Sequence, residues 1–310
     1  MRKNIREEIT AKVIALMEEH GTDFILPFAS MSGWPVNATT GARYNGINVL
    51  MLGLFGGGCT LWASYKQWAQ SGAQVRRGEK GTPIVFYKTG TGERTNSETG
   101  LAESFSYPIL RHSTVFGVDQ VDGCPQSILD KHAPDNGTDL TERLGAVDTY
   151  IDNLGATVEH GSLTGAFYRP ATDSVHMPAR EAFSATDTST ATECYYSTYL
   201  HELGHWTGAR SRLDRRADKN KSGYAYEELI AELTAAFQCK LLGISSEPRP
   251  DHAQYLNGWL KALKSDNSYI FKASAQAQKA IQFMDALQVE AEAEACLLYT
   301  SPSPRDRQKS

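Results

Sequence analysis

Two histidines four residues apart, His201 and His205, enclose a glutamate in the stretch "YYSTYLHELGHWTG". On a helix, that spacing puts both imidazoles on one face, where they can reach a single cation. Glu202 then lies one position around the turn, close enough to touch a water on that cation. The same residues also describe a helix with two solvated histidines. A third ligand separates the two readings, because a catalytic zinc site takes three protein ligands and leaves one position for water.

Past the motif, Gly208 stands where HExxHxxGxxH enzymes turn, but Ser211 occupies the place of their third histidine. The next helical stretch, "YAYEELIAELTAAFQCKLLG", offers Glu227, Glu228 and Glu232, with Leu229, Leu233 and Phe237 as its apolar stripe. Glu228 and Glu232 are four apart on one face. The pattern Glu228-x-x-Ala231-Glu232 resembles the glutamate-ligand helix of gluzincin-type metallopeptidases. That resemblance implies Glu228 as third ligand, Ala231 as the small residue that lets two helices approach, and Glu232 as acceptor for a histidine N–H. A solvated helix carboxylate is the alternative for Glu228; the ligand reading is preferred.

With this ligand set a Zn2+ ion keeps a net positive charge, lowers the pKa of a coordinated water toward ~7 and polarises a carbonyl. Glu202 is the expected catalytic base, passing the water's proton to the leaving amine. Ser174 to Pro178 is expected to supply the edge strand along which a peptide lies. Tyr224 or Tyr226 is a candidate oxyanion donor, each equally a packing residue.

The elements that must position these groups are legible around them. Thr190-Ala-Thr-Glu193 is a capping box that starts a helix running to a stop at Gly208. "RLGAVDTYIDNLG" reads as a helix, "ATVEH" as a strand, and "GAFYRP" with "SVHMP" as a hairpin about Ala171–Asp173. In the first half, "TPIVFYK" and "STVFGVDQV" read as strands, "LWASYKQWAQSG" as a helix closed by Gly72, and "TGTGERTNSETG" as a polar loop. The expected class is α+β with two domains, the second carrying the HExxH helix.

The first half also concentrates cations. Lys66, Arg76, Arg77, Lys80 and Lys88 face one anion, Glu79, and Tyr44, Trp62, Tyr65 and Trp68 lie nearby. Cations that track phosphates and aromatic faces that stack bases make a single-strand-binding surface. Trp62, Tyr65 and Trp68 are also at helical spacing, so at least one is expected in the core.

The chain has 310 residues, 41% hydrophobic and 22% charged, the composition of a soluble globular protein. No apolar run approaches the ~20 residues of a membrane span. The N-terminus reads as an amphipathic helix with Ile5, Ile9, Val13 and Met17 on one stripe, not as a secretory signal. Five cysteines without CxxC spacing fit free thiols in a reducing compartment, so a cytoplasmic location is expected. Residues 1–124 carry 12 Lys/Arg against 11 Asp/Glu, whereas residues 125–295 carry 16 against 24. The shift places a linker at residues 125–140, between a domain of residues 1–124 and one of residues 141–295. Residues 296–310, "CLLYTSPSPRDRQKS", are read as the translation of a sequencing adaptor, because one codon choice for Cys296 to Asp306 spells a common transposase-type adaptor.

Both halves resemble one family. "PVNATTGARYNGINVLML", "WASYKQWAQSGAQVRRGEKGTPIVFY" and "VFGVDQ" are similar to the N-terminal single-stranded-DNA-binding domain of ArdC-type antirestriction proteins. "YYSTYLHELGHWTGARSRLDR" followed by "YAYEELIAEL" is similar to the zincin-like metallopeptidase domain that follows it there. "FILPFA" at Phe24–Ala29 departs from a Trp-containing run that is usual in the family. The resemblance implies a protein of plasmids or phages that binds incoming single-stranded DNA and protects it from restriction. It implies zinc on His201, His205 and Glu228, Glu202 as base, and an unidentified protein substrate. Two readings follow: a zinc metallopeptidase delivered by a DNA-binding domain, or a non-enzymatic DNA-protection protein with a structural or vestigial zinc site. The intact Glu202 favours the first.

Overall fold

The computed structural model describes residues 4–21, 31, 33–95, 101–131, 140–187, 189–215, 221–245 and 253–300. The departing run Phe24–Ala29, residues 132–139 of the expected linker and residues 301–310 of the adaptor-like tail lie outside these.

After helix α1 (Ile5–His20), a four-stranded sheet is built from β1 (Val36–Asn37), β2 (Leu61–Ser64), β4 (Thr82–Thr95) and β5 (Ala102–Gly117). Its order is β1-β2-β5-β4, with only the β1–β2 pair parallel. Helix α2 (Ile47–Phe55) docks at the β4 edge. The Asn48 side chain accepts from the Val85 N–H at 2.8 Å and donates to the Val85 carbonyl at 2.7 Å, as a neighbouring strand would. Helix α3 (Tyr65–Gln70), strands β3 (Gln74–Val75) and β6 (Val121–Asp122), and helix α4 (Gln126–Lys131) complete the first half.

Two expectations for this half are corrected. The stretch read as one helix from Leu61 is divided into β2 and α3. Ser64 and Gln67 form a capping box that starts the helix at Tyr65 and leaves Leu61–Ser64 extended, with Trp62–Ser64 paired to Val115–Gly117. The stretch read as a polar loop continues β4 through Thr95, paired with Ala102–Pro108. Neither face of that extension is covered, so it lacks the apolar alternation that marks a half-buried strand.

The second half begins with α5 (Leu140–Asp152) and a three-stranded sheet of β7 (Thr157–His160), β8 (Phe167–Arg169) and β9 (Ser174–Met177), ordered β7-β9-β8. The expected β8–β9 hairpin is present. The expectation that Ser174–Pro178 is the edge strand is corrected: β7 pairs parallel on the far side of β9, so β9 is central and β8 is the edge. Four helices follow, α6 (Ala191–Trp206), α7 (Lys221–Leu241), α8 (Ala253–Ser265) and α9 (Tyr269–Thr300). Among the described residues, no helix is long and apolar enough to cross a membrane.

The two halves share one core. Ile9 and Met17 of α1 and Leu50 of α2 belong to the same buried cluster as Leu203, Phe237, Trp259 and Ile281. Thr10 Oγ1 donates to the Asn267 carbonyl at 3.0 Å, and the Gly46 N–H donates to Gln278 Oε1 at 3.1 Å. The expected boundary at residues 125–140 therefore separates the sequence more sharply than the packing.

Candidate metal centre

The HExxH helix is fixed at both ends. At its start, Thr190 Oγ1 accepts from the Glu193 N–H at 3.2 Å while Glu193 Oε2 accepts from the Thr190 N–H at 3.0 Å. Glu193 Oε1 also accepts from the Ser245 N–H at 3.0 Å, tying the cap to the chain beyond α7. At its end, Arg215 donates to the Gly204 carbonyl at 2.6 Å and Arg212 donates to the Trp206 carbonyl at 2.6 Å. Two guanidiniums thus satisfy carbonyls that the helix leaves open.

Helix α7 crosses α6 at a seam of small residues. A Cβ on Gly204 would lie 3.1 Å from the Ala231 Cα, so the backbones approach as closely as glycine and alanine permit. Across this seam, His201 Nε2 and His205 Nε2 lie 3.1 Å apart, and each lies 3.5 Å from a Glu228 carboxylate oxygen. One ligand atom from each of the three residues falls within 4.8 Å of the others. Tetrahedral zinc with bonds of ~2.05 Å would hold two nitrogens about 3.3 Å apart, so the donor set fits a divalent cation.

Carboxylates behind the imidazoles fix which nitrogen faces inward. His201 Nδ1 lies 3.5 Å from Glu232 Oε2, and His205 Nδ1 lies 3.7 Å from Glu227 Oε1. A carboxylate behind each Nδ1 is the arrangement that orients metal-binding histidines. Burial opposes charge on both rings, yet Glu228 and Glu232 outweigh it for His201 and raise its pKa. Glu227 and Glu228 do the same for His205, carrying it up to about 10. Burial would raise the Glu228 carboxyl, but the two histidines hold it far below the carboxylate range. The cluster therefore collects negative charge around two inward-facing nitrogens.

Glu202 is 3% exposed, and its Oε2 accepts from the Tyr168 N–H of β8 at 2.8 Å. The edge strand is itself anchored. Tyr168 Oη donates to Asp173 Oδ1 at 2.7 Å, and Arg212 ion-pairs with both Asp173 oxygens. The Arg212 guanidinium lies 4.1 Å from the Trp206 ring centre. Of the two tyrosine candidates, Tyr226 packs on Tyr269, with ring centres 5.0 Å apart. Tyr224 stands beside Glu228; burial, Tyr255 and Glu228 together raise its pKa.

Sequence reasoning assigned no role to Glu227, Arg215 or the Tyr168 amide. Glu227 sits next to Glu228, so its helix position was a usable signal. Arg215 reaches the site from a loop, and a backbone amide carries no side-chain signature.

A family model described as zincin-like metallopeptidase matches residues 145–276, and one for the N-terminal domain of anti-restriction factor ArdC matches residues 3–116. The chain is 35% identical to the protein y4eC of Sinorhizobium fredii over 303 residues, covering 93% of this chain and 94% of that one. The metal-free crystal structure of antirestriction ArdC protein from plasmid R388 superposes with a TM-score of 0.74 at 35% identity, covering 93% of this chain and 98% of that one. This chain belongs to the ArdC family of antirestriction proteins. The Mn(II)-bound crystal structure of antirestriction ArdC protein from plasmid R388 gives a TM-score of 0.72 at 33% identity, over 92% of this chain and 98% of that one. The ArdC-family chain is also 37% identical to a DNA primase TraC of Escherichia coli over 306 residues, but spans only 28% of that protein's length.

In the ArdC N-terminal region, the expected nucleic-acid contacts are dispersed. Trp62 is 1% exposed and donates from Nε1 to the Cys59 carbonyl at 2.9 Å, so it is a core residue and cannot stack a base. Tyr44 is half-buried and hydrogen-bonds Asn37 at 3.4 Å. Arg76 ion-pairs with Glu79 at 3.0 Å and Asp122 at 3.5 Å, and donates to the Val121 carbonyl at 3.3 Å. It knits β3 to β6 and has little left for a phosphate. Lys66, Arg77 and Lys80 are exposed, with no ion pair among the described residues.

Proposed function

We propose that this ArdC-family chain is an antirestriction protein of a mobile element, combining single-stranded-DNA binding with zinc-dependent peptide hydrolysis in the cytoplasm. The observation that carries the hydrolytic reading is the convergence of His201 Nε2, His205 Nε2 and the Glu228 carboxylate within 4.8 Å, beside Glu202.

His201, His205 and Glu228 would hold the metal. When bound, it supplies Lewis acidity toward a carbonyl oxygen and a water that loses its proton near neutral pH. Two imidazoles and a carboxylate suit zinc and tolerate manganese. Glu202 takes the water's proton and delivers it to the leaving amine. The Tyr168 N–H holds the Glu202 carboxylate in one orientation. A peptide adds along the β8 edge, and Tyr224 donates to the oxygen on which charge develops.

The test is metal content with hydrolysis and protection. About one zinc or manganese per chain is expected, sharply reduced in His205→Ala. Glu202→Gln should keep the metal and lose at least ~100-fold of any peptide hydrolysis. Full metal retention in His205→Ala would overturn the ligand assignment. One observation favours a second reading, protection without hydrolysis: Glu202 Oε2 is already engaged by an amide, as a structural carboxylate would be. Under that reading, Glu202→Gln protects incoming single-stranded DNA from restriction as well as the parent does.

A further inference from the structure

Strands β4 and β5 run on together well past the sheet. β2 covers β5 only at Val115–Gly117, yet the β4–β5 ladder continues from Phe86↔Arg111 to Thr95↔Ala102, ten further pairs. At ~3.4 Å per residue this two-stranded ribbon is about 30 Å long. Directly paired residues share a face, so the register sorts the side chains. One face carries Phe86, Phe105 and Tyr107 with Lys88, Arg94 and Arg111. The other carries Tyr87 and Leu110 at its base, then Thr89, Pro108, Thr91, Ser106, Glu93 and Ser104 further out, with no aromatic beyond Tyr87.

The aromatic face is exposed. Phe86, Phe105 and Tyr107 are 39%, 41% and 43% accessible, and the Phe105 and Tyr107 ring centres lie 5.8 Å apart at a tilt of 37°. Gly90 and Gly92 stand opposite Tyr107 and Phe105. A Cβ at Gly90 would come within 2.6 Å of Ile109 and 3.0 Å of the Tyr107 ring, and one at Gly92 within 2.9 Å of the Phe105 ring, so these side chains lie over the glycines. Arg94 pairs with Glu103 at 3.5 Å, which leaves Lys88 and Arg111 without an acidic partner among the described residues. Flat aromatic surfaces flanked by unpaired cations are what a single-stranded nucleic acid needs, rings for its bases and charges for its phosphates. Helices and sheets that recognise a duplex instead present polar groups to a groove.

We propose that this face of the β4–β5 ribbon is the single-stranded-DNA contact surface, with bases stacked on Phe105 and Tyr107 and phosphates held by Lys88 and Arg111. The proposal rests on the DNA-binding reading above and moves the contact away from Trp62 and Arg76. The ribbon extends beyond the core, so its surface can be altered without removing buried side chains.

The experiment uses the full chain and fluorescence anisotropy of a labelled oligo-dT, with far-UV circular dichroism and metal content as controls. Phe105→Leu with Tyr107→Leu keeps apolar cover over the glycines but removes the flat rings. It should weaken binding at least tenfold. Lys88→Glu with Arg111→Glu should weaken binding and flatten the slope of log affinity against log salt by about 1.4, at ~0.7 per phosphate contact. Thr91→Ala with Ser106→Ala, on the other face, should bind as the parent does. Parent-like affinity in both the ring and the charge variants overturns the proposal. If the variants lose self-association but keep oligo-dT affinity, the face belongs to a second copy and the proposal also fails. A parent protein that binds no oligo-dT at low salt removes the DNA-binding reading itself.

Discussion

Gly204 of the HExxH helix lies directly against Ala231 of the next helix, where an added Cβ would sit 3.1 Å from the Ala231 Cα. His201 and Glu228 face each other across this same seam, so the helix separation sets the distance between two candidate ligands. Gly204→Val should push the helices apart, cost about 1–3 kcal/mol, and lower metal content. Urea unfolding with metal analysis checks both, and Ala231→Gly in the same chain should restore part of the loss.

Arg215 is 6% exposed at its side chain and donates to the Gly204 carbonyl, Thr207 Oγ1 and Glu227 Oε1, the last at 2.8 Å. Removing it leaves the Glu227 carboxylate buried with only His205 beside it. Arg215→Met should therefore destabilise by about 3 kcal/mol. Adding Glu227→Gln should recover much of that loss, giving a measurable coupling energy in a double-mutant cycle.

Chelation should lower the thermal midpoint, because a cation that binds only the folded state stabilises it by an amount that grows with the logarithm of free metal over its dissociation constant. The gain is ~2.7 kcal/mol when the free metal is a hundred times its dissociation constant. Adding back zinc or manganese should restore the midpoint. His201→Ala should have a low midpoint that neither chelator nor metal moves.

Arg76 and Arg77 are adjacent in sequence and opposite in role. Arg76→Ala should lower stability, since four of its partners lie in the protein, and leave the salt dependence of DNA binding unchanged. If DNA reaches the ribbon's base, Arg77→Ala with Lys80→Ala should leave stability intact and flatten that dependence by about 1.4. Thermal melts and salt titrations separate the two outcomes.

Burial lowers the Lys240 pKa from 10.5 to about 8, with Cys239 pulling weakly the other way. The folded value lies below the unfolded one, so the fold disfavours the charged form. The cost is complete below pH 8 and fades as the pH rises to 10.5. Relative to Lys240→Met, the parent should gain stability across that window, which urea unfolding at its two ends would measure.

The candidate metal centre was legible because its signals are local. HELGH, Glu228-x-x-Ala231-Glu232 and the Thr190–Glu193 box each lie within one helical turn or two, where spacing fixes geometry. What escaped depends on partners distant in sequence. Trp62 shares an aromatic spacing with Trp68 that looks helical, and only pairing with Gly117 makes it a strand residue. The central place of β9 depends on β7 arriving parallel on its far side, and no residue of Ser174–Met177 encodes that arrival. The ribbon from Thr89 to Thr95 is exposed on both faces, so the in–out alternation that identifies a strand was absent.

The shared core also sets a schedule for folding. Thr10 hydrogen-bonds Asn267, 257 residues later, and the buried stripe of Ile9, Val13 and Met17 joins a core that includes Ile270 and Ile281. At ~5–20 residues per second, about 13 to 50 s of synthesis separate the first helix from the segment that covers it. Throughout that interval α1 lacks the late residues of its core. Helix α1 therefore completes its packing only after Ile270 and Ile281 have been made.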